Sequence, residues 1–422
     1  MKQIRTYGKS AQEAEGLLRQ IEDRSGTATA RLEPAVKRMI SAVRRQGDAA
    51  LRRYAERFDG LAPGAPIFVG MEEMAAAWDQ TPTELRKAMK TAATNIRRFA
   101  RWQMPKEWRR TMRGVTLGQK CLPLDSVGCY VPGGRYPLPS TVLMTTIPAQ
   151  AAGVERIAVV SPRPARETLA AAHLAGVKEF YRIGGAQAIA ALAYGTPSVP
   201  RVDKIVGPGN LYVTTAKKLV AFDCGIDMLA GPTEIVVASE NGNPQWIAAD
   251  LVAQSEHDPE TLAVLVTSNA ALVRAAAEEV RRQSASNGIA KQALANNGFV
   301  FLTRTKNETA AVANRLATEH LTIDSEEDLT WVRHAGSIFV GTQTPQSMGD
   351  YISGPNHVLP TGRLARIRGG LSVYDFLRLV TTQEYTDRSL QTFGPAAARL
   401  ADAEGLAGHA ASVRIREKGA TR

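Results

Sequence analysis

The sequence has few cysteines, few aromatic residues and no long apolar run. Three cysteines among 422 residues are too few for a disulfide framework and favour a reducing compartment, so we expect a cytoplasmic protein. The N-terminus lacks the apolar region of a signal peptide, and the most apolar stretch, residues 140–160, is interrupted by Pro148 and a charged pair. We therefore expect no contact with a membrane. A hydrophobic content of 44% excludes general disorder.

The net charge of +11 comes from 52 basic and 41 acidic residues. Arginine pairs such as Arg97-Arg98 and Arg281-Arg282 are dispersed along the sequence, and aromatic residues do not interleave with them. This pattern favours a solvated surface or an anionic small molecule over nucleic acid. We expect no nucleic-acid partner.

The order of apolar segments predicts the α/β fold class. The first hundred residues are typical of helices, and the last fifty return to a helical, alanine-rich pattern. Between them, short apolar runs without polar alternation are separated by helical segments, which predicts parallel sheets covered on both faces. The predicted strands are 157–160, 180–183, 205–206, 235–238, 262–266, 299–302 and 338–340. We expect two Rossmann-like but incomplete parallel-sheet lobes that meet near Gly231-Pro232, with small helical segments at both ends of the chain.

Three glycine-containing turns are candidates for a cofactor site. Gly184-Gly-Ala-Gln187 and Gly207-Pro-Gly-Asn210 lie between predicted strands and helices, where helix N-termini can bind phosphate. Neither matches GxGxxG. Tight turns that require positive φ are an equally good interpretation. In the third turn, Tyr130–Gly134, the Tyr130 side chain packs either on a ligand ring or in the core.

Four of the six histidines lie in short polar clusters. The clusters are Gln254-Ser-Glu-His257, Glu319-His320, Asp350 with His357, and Glu404 with His409. Imidazole and carboxylate groups are ligands for a zinc-like divalent cation. The spacing does not match HExxH, so spacing alone favours separate surface or capping histidines over a metal site. Cys129 has no basic neighbour in the sequence and is predicted to be a buried thiol rather than a nucleophile.

Nine short motifs, in this order, resemble those of the histidinol dehydrogenase family. The resemblance extends from about Arg44 to Arg416. The motifs are Leu124–Gly134, Pro139–Met144, Gly184–Leu192, Val206–Asn210, Ala230–Glu234, Gln254–Asp258, Thr318–Leu321, Asn356–Thr361 and Glu404–His409. Thr233 occupies a position where serine is more usual in this family, a change that keeps the hydroxyl.

The resemblance implies a zinc- and NAD-dependent oxidoreductase. Such an enzyme oxidises L-histidinol through L-histidinaldehyde to L-histidine, in two sequential steps of histidine biosynthesis. It further implies one Zn²⁺ per subunit and a homodimer in which the tail of one subunit contributes Glu404 and His409 to the partner's site.

The resemblance also assigns roles to individual residues. Glu319 and His320 match the catalytic acid/base pair. Tyr130, Gln187 and Asn210 match the positions that contact the dinucleotide. The metal ligands are Gln254, His257, Asp350 and His409. The substrate-binding positions are Thr233, Gln254, His257, His320, Asp350, His357, Glu404 and His409.

With this resemblance we divide the chain into four segments. Residues 1–25 form an N-terminal helical segment, and residues 26–129 with 234–371 form an α/β lobe that carries the metal and catalytic residues. Residues 130–233 form the dinucleotide lobe, and residues 372–422 form the helical tail. An alternative substrate on the same scaffold is a sulfonated diol, because the arginines of Arg363-Leu-Ala-Arg-Ile-Arg368 suit an anion.

Overall fold

The computed structural model describes residues 1–24, 27–133 and 136–419. These residues form two compact units. The first contains Met1–Gln103 and Asp125–Phe376, and the second contains Met104–Leu124 and Leu377–Arg422.

The described residues form fifteen strands and sixteen α-helices. The strands are β1 (Lys2–Arg5), β2 (Phe68–Val69), β3 (Trp108–Met112), β4 (Val115–Pro123), β5 (Ser126–Tyr130), β6 (Arg156–Val160), β7 (Glu179–Tyr181), β8 (Lys204–Val206), β9 (Gly225–Ile226), β10 (Glu234–Ala238), β11 (Leu262–Thr267), β12 (Gly298–Leu302), β13 (His320–Ile323), β14 (Ser337–Val340) and β15 (Leu377–Tyr385). The helices are α1 (Ala11–Glu22), α2 (Thr27–Gln46), α3 (Asp48–Tyr54), α4 (Met71–Asp79), α5 (Thr83–Gln103), α6 (Pro139–Ala152), α7 (Arg166–Leu174), α8 (Gly185–Tyr194), α9 (Leu211–Val220), α10 (Pro244–Ser255), α11 (Ala270–Gln283), α12 (Gly288–Asn297), α13 (Lys306–Leu316), α14 (Gln346–Tyr351), α15 (Asp387–Ala403) and α16 (Ala407–Gly419). Within the described ranges, no helix combines the length and apolar character needed to cross a bilayer.

The first unit contains two six-stranded sheets with the same pattern of connections. Sheet I has the order β1-β12-β11-β10-β13-β14, and sheet II has the order β2-β7-β6-β5-β8-β9. Apart from the antiparallel edge strand β2, the strands of both sheets are parallel. The strand order reverses between β10 and β13 in sheet I and between β5 and β8 in sheet II. In open parallel sheets, ligands bind beside such reversal points.

The strands of both sheets are apolar because helices cover both of their faces. Every residue of β5, β10 and β11 is buried. Separate apolar clusters lie on the two faces of sheet I. Helices α2, α8 and α9 pack on sheet II through residues that include Val36, Ile189 and Val213. This arrangement confirms the α/β class with parallel sheets.

The second unit is a three-stranded antiparallel sheet with two helices. Strand β4 lies between β3 and β15, and the β4–β15 pairing extends from Val115 opposite Tyr385 to Pro123 opposite Leu377. Helices α15 and α16 pack against each other.

All seven predicted strands are present, but sheet membership differs from the predicted segments. Strand β5 belongs to sheet II, and α2 packs on the same sheet, although residues 26–129 were assigned to the other lobe. The N-terminal segment contributes β1 to sheet I, and the predicted helical tail contains the long strand β15. Pairing with strands far along the chain decides these assignments, and no local pattern encodes it. The predicted boundary at residue 25 lies outside the described residues.

Candidate active site

A cavity of about 420 Å³ opens at the carboxyl ends of the sheet II strands. The ends of β5, β6 and β7 and the turn after β8 all contribute to it. Its lining residues are Met39, Phe58, Asp59, Tyr130, Pro132, Gly133, Pro162, Arg163, Gly185, Ala186, Gln187, Asn210 and Tyr212. The structure therefore brings Tyr130, Gln187 and Asn210, the three residues predicted to contact a dinucleotide, to one cavity.

Two glycines allow the backbone to form this cavity. Gly185 and Gly207 have φ angles of +60° and +109°, in the left-handed region that favours glycine. A Cβ atom on Gly207 would lie 2.2 Å from the carbonyl oxygen of Tyr130, so this position also requires a close approach of two backbone segments. These φ angles confirm the interpretation as tight turns, and the same turns contribute to the wall of the cavity. That a cofactor binds there stays a prediction. Gly134, in the third turn, lies outside the described residues.

Asp59 is a cavity residue that the sequence did not reveal. It ends a π-helical turn, Ala55–Asp59, and is 5% exposed. Its Oδ2 accepts hydrogen bonds from the backbone N–H of Gly184 at 2.9 Å and from Nε2 of Gln187 at 3.0 Å. Burial raises the pKa of Asp59, and the two donors and the Arg163 charge oppose that rise. No local signal predicts contacts across more than 120 residues of chain.

A second polar cluster lies at the amino ends of the sheet I strands. Glu319 and His320 stand at the start of β13, and Thr233 immediately precedes β10. Oε2 of Glu319 accepts hydrogen bonds from the Thr233 hydroxyl at 2.5 Å and from the Glu234 backbone N–H at 2.9 Å. Burial raises the pKa of Glu319. Ligand sites in open parallel sheets usually lie at the carboxyl ends of the strands. The cavity in sheet II follows this preference, whereas this cluster lies at the amino ends.

The contacts of His320 fix which of its nitrogens can take up a proton. Its Nδ1 lies 3.1 Å from the backbone carbonyl of Glu234, which can only accept, so Nδ1 carries the hydrogen. Nε2 is buried, lacks a hydrogen-bond partner and lies 3.4 Å from Oδ1 of Asp350. Burial lowers the pKa of His320, but the carboxylates of Glu319 and Asp350 outweigh it and raise that pKa to about 9. Nε2 is therefore the atom at which this imidazole gains or loses a proton, and the raised pKa favours the protonated ring at neutral pH.

Three of the four predicted metal ligands lie close together. Nε2 of Gln254 donates to Oδ2 of Asp350 at 2.9 Å, and the charge of His257 contributes to a lowered pKa of Asp350. Burial of Asp350 opposes that lowering, and the neighbouring His320, with Nε2 at 3.4 Å from Oδ1, favours it. Across the described ranges, no group of three or more His, Cys, Asp or Glu side chains is arranged to hold a metal. Of the predicted set, only His257 and Asp350 are residues of these types in the first unit, because Gln254 is an amide and His409 belongs to the second unit.

An unusual proline positions His357. Pro148 lies inside α6 and has no N–H, so the carbonyl of Met144, four residues earlier, lacks its helical partner. Nδ2 of Asn356 donates to that carbonyl at 2.6 Å. The adjacent His357 donates from Nδ1 to the carbonyl of Asp350 at 2.8 Å, and its Nε2 lies 3.3 Å from the Thr141 hydroxyl. Burial lowers the pKa of His357, which favours a neutral ring.

Glu234 is a second residue to which sequence reasoning gave no role. Its backbone contacts both His320 and Glu319, and its carboxyl group accepts from the backbone N–H of Gly362 at 3.0 Å. Burial raises its pKa to about 7, and the nearby Glu319 charge adds to that rise. The Ala230–Glu234 motif pointed to this segment, but only the fold shows the contacts.

The two remaining predicted residues belong to the second compact unit. Glu404 directly follows α15, His409 lies in α16, and both are exposed there. Their contribution to the site of a partner subunit stays a prediction.

Two of the three thiols are buried. Cys129 is inaccessible, and burial raises the pKa of Cys129 and of Cys224 to about 12. This agrees with the prediction of a buried thiol at Cys129. We expect a thiol reagent such as DTNB to modify only the partly exposed Cys121 in the native protein and all three cysteines after denaturation. Fast modification of Cys129 in folded protein would contradict this burial.

The arginines that suggested an anionic substrate have other partners. Nη2 of Arg368 donates to both carboxylate oxygens of Asp375, at 2.9 and 3.0 Å. Arg363 lies 3.5 Å from a carboxylate oxygen of Glu22, and Arg366 is exposed. The observation that favoured a sulfonated diol is therefore explained by contacts within the chain.

The Arg97-Arg98 pair has basic and aromatic neighbours that its position in the sequence did not indicate. On α5, Arg97, Arg98 and Arg101 line a shallow cavity of about 340 Å³ together with Trp102. Helical spacing brings these side chains to one face, which linear spacing did not reveal.

Comparison with known proteins places the chain in a family. The sequence model of the histidinol dehydrogenase family matches residues 22–417. Histidinol dehydrogenase of a Synechococcus strain is 44% identical over 96% of this chain and 97% of its own length. The Gluconobacter oxydans enzyme of that name is 45% identical, over 90% of this chain and 92% of its own length.

A solved structure leads to the same family. The crystal structure of histidinol dehydrogenase from Elizabethkingia anophelis superposes with a TM-score of 0.93 at 33% identity, covering 100% of this chain and 99% of that one. None of these relatives supports the sulfonated-diol alternative. Agreement over almost the full length, in sequence and in fold, leads to one conclusion: the chain belongs to the histidinol dehydrogenase family.

Proposed function

We propose that this protein oxidises L-histidinol to L-histidine in two NAD-dependent steps, with L-histidinaldehyde as the intermediate. The observation that carries the proposal is the buried cluster of Glu319, His320 and Asp350 in a member of this family. The cluster combines two acceptors, the imidazole of His320 and the carboxylate of Glu319, with an adjacent set of nitrogen and oxygen atoms that can bind a metal ion. A two-step oxidation needs both acceptors, one for a hydroxyl proton and one for a water molecule.

The residues present fit a zinc ion. Asp350 offers a carboxylate, Gln254 an amide oxygen and His257 an imidazole, and we propose that His409 of the partner subunit completes the set. The buried, unpartnered Nε2 of His320 next to Asp350 is the kind of orphan atom that a substrate or ion environment completes. When bound, zinc supplies Lewis-acid polarisation and holds the amino and imidazole groups of the substrate.

The first oxidation requires a base at the carbinol oxygen. In its neutral form, the His320 ring can accept a proton only at Nε2, because Nδ1–H donates to the Glu234 carbonyl. That bond also fixes the ring orientation, and Phe339 stacks on the ring with centroids 5.9 Å apart. A positioned base of this type typically contributes a factor of about 10²–10⁴ to the rate.

The second oxidation requires a hydrated aldehyde. Glu319 is buried next to His320, and its Oε2 is occupied by two donors, so Oε1 remains to orient a water molecule. Thr233 and the Glu234 backbone hold the carboxylate in one position. We assign substrate contacts to Thr233, His357 and the partner's Glu404.

The cavity of sheet II is the proposed NAD site. It lies in the same compact unit as the Glu319 cluster, and α6 connects the two regions, because α6 follows the Tyr130 turn and its Thr141 contacts His357. NAD, when bound, accepts the hydride in each step. Tyr130, Gln187 and Asn210 line the cavity as polar groups that can orient the dinucleotide.

The proposal includes a homodimer in the cytoplasm. A site that needs His409 and Glu404 from a second chain is incomplete in a monomer, so we propose a dimer with exchanged tails. Three cysteines without disulfides are consistent with the reducing cytoplasm.

The proposal is tested by the yield of NADH. With limiting L-histidinol and excess NAD, we expect two NADH per substrate at 340 nm, because the aldehyde stays bound between the steps. Prolonged treatment with a chelator is expected to abolish activity, and added Zn²⁺ to restore it. A single NADH per histidinol, or full activity in protein that contains no metal, contradicts the mechanism.

A further inference from the structure

A carboxylate and an amide form a fixed pair in the wall of the sheet II cavity. Asp59 and Gln187 both line the cavity and are 5% and 1% exposed. They come from distant segments, the π-helical turn after α3 and the first turn of α8. We name them the Asp59–Gln187 pair.

The chemistry of Asp59 determines the orientation of Gln187. An ionised carboxylate can only accept, so the Gln187 group that faces it at 3.0 Å is the NH₂ group. Oε1 of Gln187 therefore points away from Asp59. This oxygen is buried and has no hydrogen-bond partner. A buried, unpaired acceptor costs about 1–3 kcal/mol, which a ligand that donates a hydrogen bond can recover.

Asp59 has a further free acceptor. Both of its hydrogen bonds use Oδ2, which leaves Oδ1 available to a ligand. The pair therefore presents acceptors, one of them charged, to whatever binds beside it. A ribose hydroxyl or an amino group satisfies such a surface, whereas a phosphate at neutral pH brings only acceptors and negative charge.

Arg163 is the only cationic side chain that lines this cavity among the described residues. Its exposed side chain passes over Gly60, with Cδ 3.3 Å from the place of a Cβ on that glycine. This places its charge close to Asp59, and Asp59 partly neutralises it. Without the Asp59 charge, Arg163 would be free to attract a phosphate.

We propose that Asp59 is the residue that makes this cavity select a dinucleotide with free ribose hydroxyls over its 2′-phosphorylated form. The proposal rests on the proposed NAD site. In the fold, Asp59 comes from a segment more than 120 residues upstream and lies beside the glycine turn at the start of α8.

The test compares the binding of NADH and NADPH without any turnover. Their fluorescence is titrated with the protein as purified, without histidinol, for the wild type, for Asp59→Asn and for Asp223→Asn. The Oδ1 of asparagine can accept both hydrogen bonds of Asp59, so the wall keeps its contacts, while the charge is lost and the free acceptor becomes an NH₂ donor. Asp223, whose carboxylate accepts from Tyr194 outside the cavity, is the matched control.

We expect the wild type to bind NADH at least about 100-fold more tightly than NADPH. A site whose acceptors bind a ligand hydroxyl strongly rejects a ligand in which a phosphate replaces that hydroxyl. Asp59→Asn is expected to lower this ratio at least tenfold, mainly by tighter NADPH binding, and Asp223→Asn to leave it unchanged. A folded Asp59→Asn protein with the wild-type ratio overturns the inference while the NAD site stands. Binding of neither nucleotide to the wild type overturns the NAD site and, with it, the inference.

A second variant keeps the proposal falsifiable if Asp59→Asn does not fold. Arg163→Glu changes an exposed side chain at the same wall and adds negative charge. We expect it to raise the ratio of the NADPH and NADH dissociation constants at least fivefold. An unchanged ratio would show that the phosphate does not bind near the pair and would overturn the proposal.

Discussion

Replacing Glu319 with glutamine is expected to slow the second oxidation by about 10²–10⁴-fold while leaving the protein folded. The Thr233 hydroxyl and the Glu234 N–H both donate to one oxygen of Glu319, and the amide oxygen of glutamine can accept both bonds. The substitution therefore preserves the local structure and removes the carboxylate that orients water. The first oxidation relies on His320 and should be affected much less.

The measurement is a single turnover with excess enzyme and NAD. The variant is expected to release one NADH per histidinol quickly and the second slowly, with trapped aldehyde accounting for the difference. Glu240→Gln is the control, since this carboxylate follows β10 at the opposite end of sheet I and binds Ser268 and Thr309. If Glu319→Gln slows both oxidations equally, Glu319 acts in both steps. That result would contradict the assignment of Glu319 to the second oxidation and of His320 to the first.

Replacing Lys217 with methionine is expected to lower the free energy of unfolding by about 3–5 kcal/mol, because it leaves a buried charge without its partner. The Lys217 and Asp227 side chains are 2% and 0% exposed and form a direct ion pair. Lys217 also donates to the carbonyl of Gly207 at 2.9 Å, and Asp227 accepts from the Gly207 N–H at 2.7 Å. The pair thus holds both backbone groups of the glycine that forms the cavity turn.

The adjacent lysine provides a matched control. Lys218 pairs with Glu33 at 2.7 Å, but the two side chains are 45% and 25% exposed, so Lys218→Met should cost less than about 1 kcal/mol. Unfolding by urea, followed by circular dichroism, measures both variants. A second substitution, Asp227→Asn, should recover part of the loss in the Lys217→Met background, because it removes the unpaired charge. Equal destabilisation by the two lysine variants would contradict this assignment.

Local sequence patterns were sufficient for the strands that contain an unbroken apolar run. Strands such as β10 and β11 are buried on both faces, and this burial requires the uninterrupted apolar runs that the sequence contains. Strand β13 was missed because His320 begins it and Thr322 interrupts its apolar residues. Glu234 likewise begins β10, but the unbroken apolar run that follows was enough to predict that strand.

For the site as well, local motifs identified many of the residues, and only the fold shows their contacts. The motifs and polar clusters pointed to Thr233, Gln254, Glu319, His320, Asp350 and His357. The fold brings together the amino ends of β10 and β13, the end of α10, helix α14 and the loop that follows it. Motif reasoning gave no role to Asp59 or Glu234, because their contacts join segments that are far apart in the chain. Pro148 and Asn356 show a related limit, since the free carbonyl of Met144 and the amide that fills it are 212 residues apart.

The amino-acid sequence by itself determined the α/β class, the positions of the main strands and the family of this protein, because burial periodicity and short motifs are local properties. Only the tertiary structure decided which strands share a sheet and which end of each sheet carries a site. It also decided at which nitrogen His320 gains or loses a proton and which atom of the Gln187 amide lacks a hydrogen-bond partner. These outcomes depend on hydrogen bonds and burial between distant segments, and such contacts form only when the chain is folded.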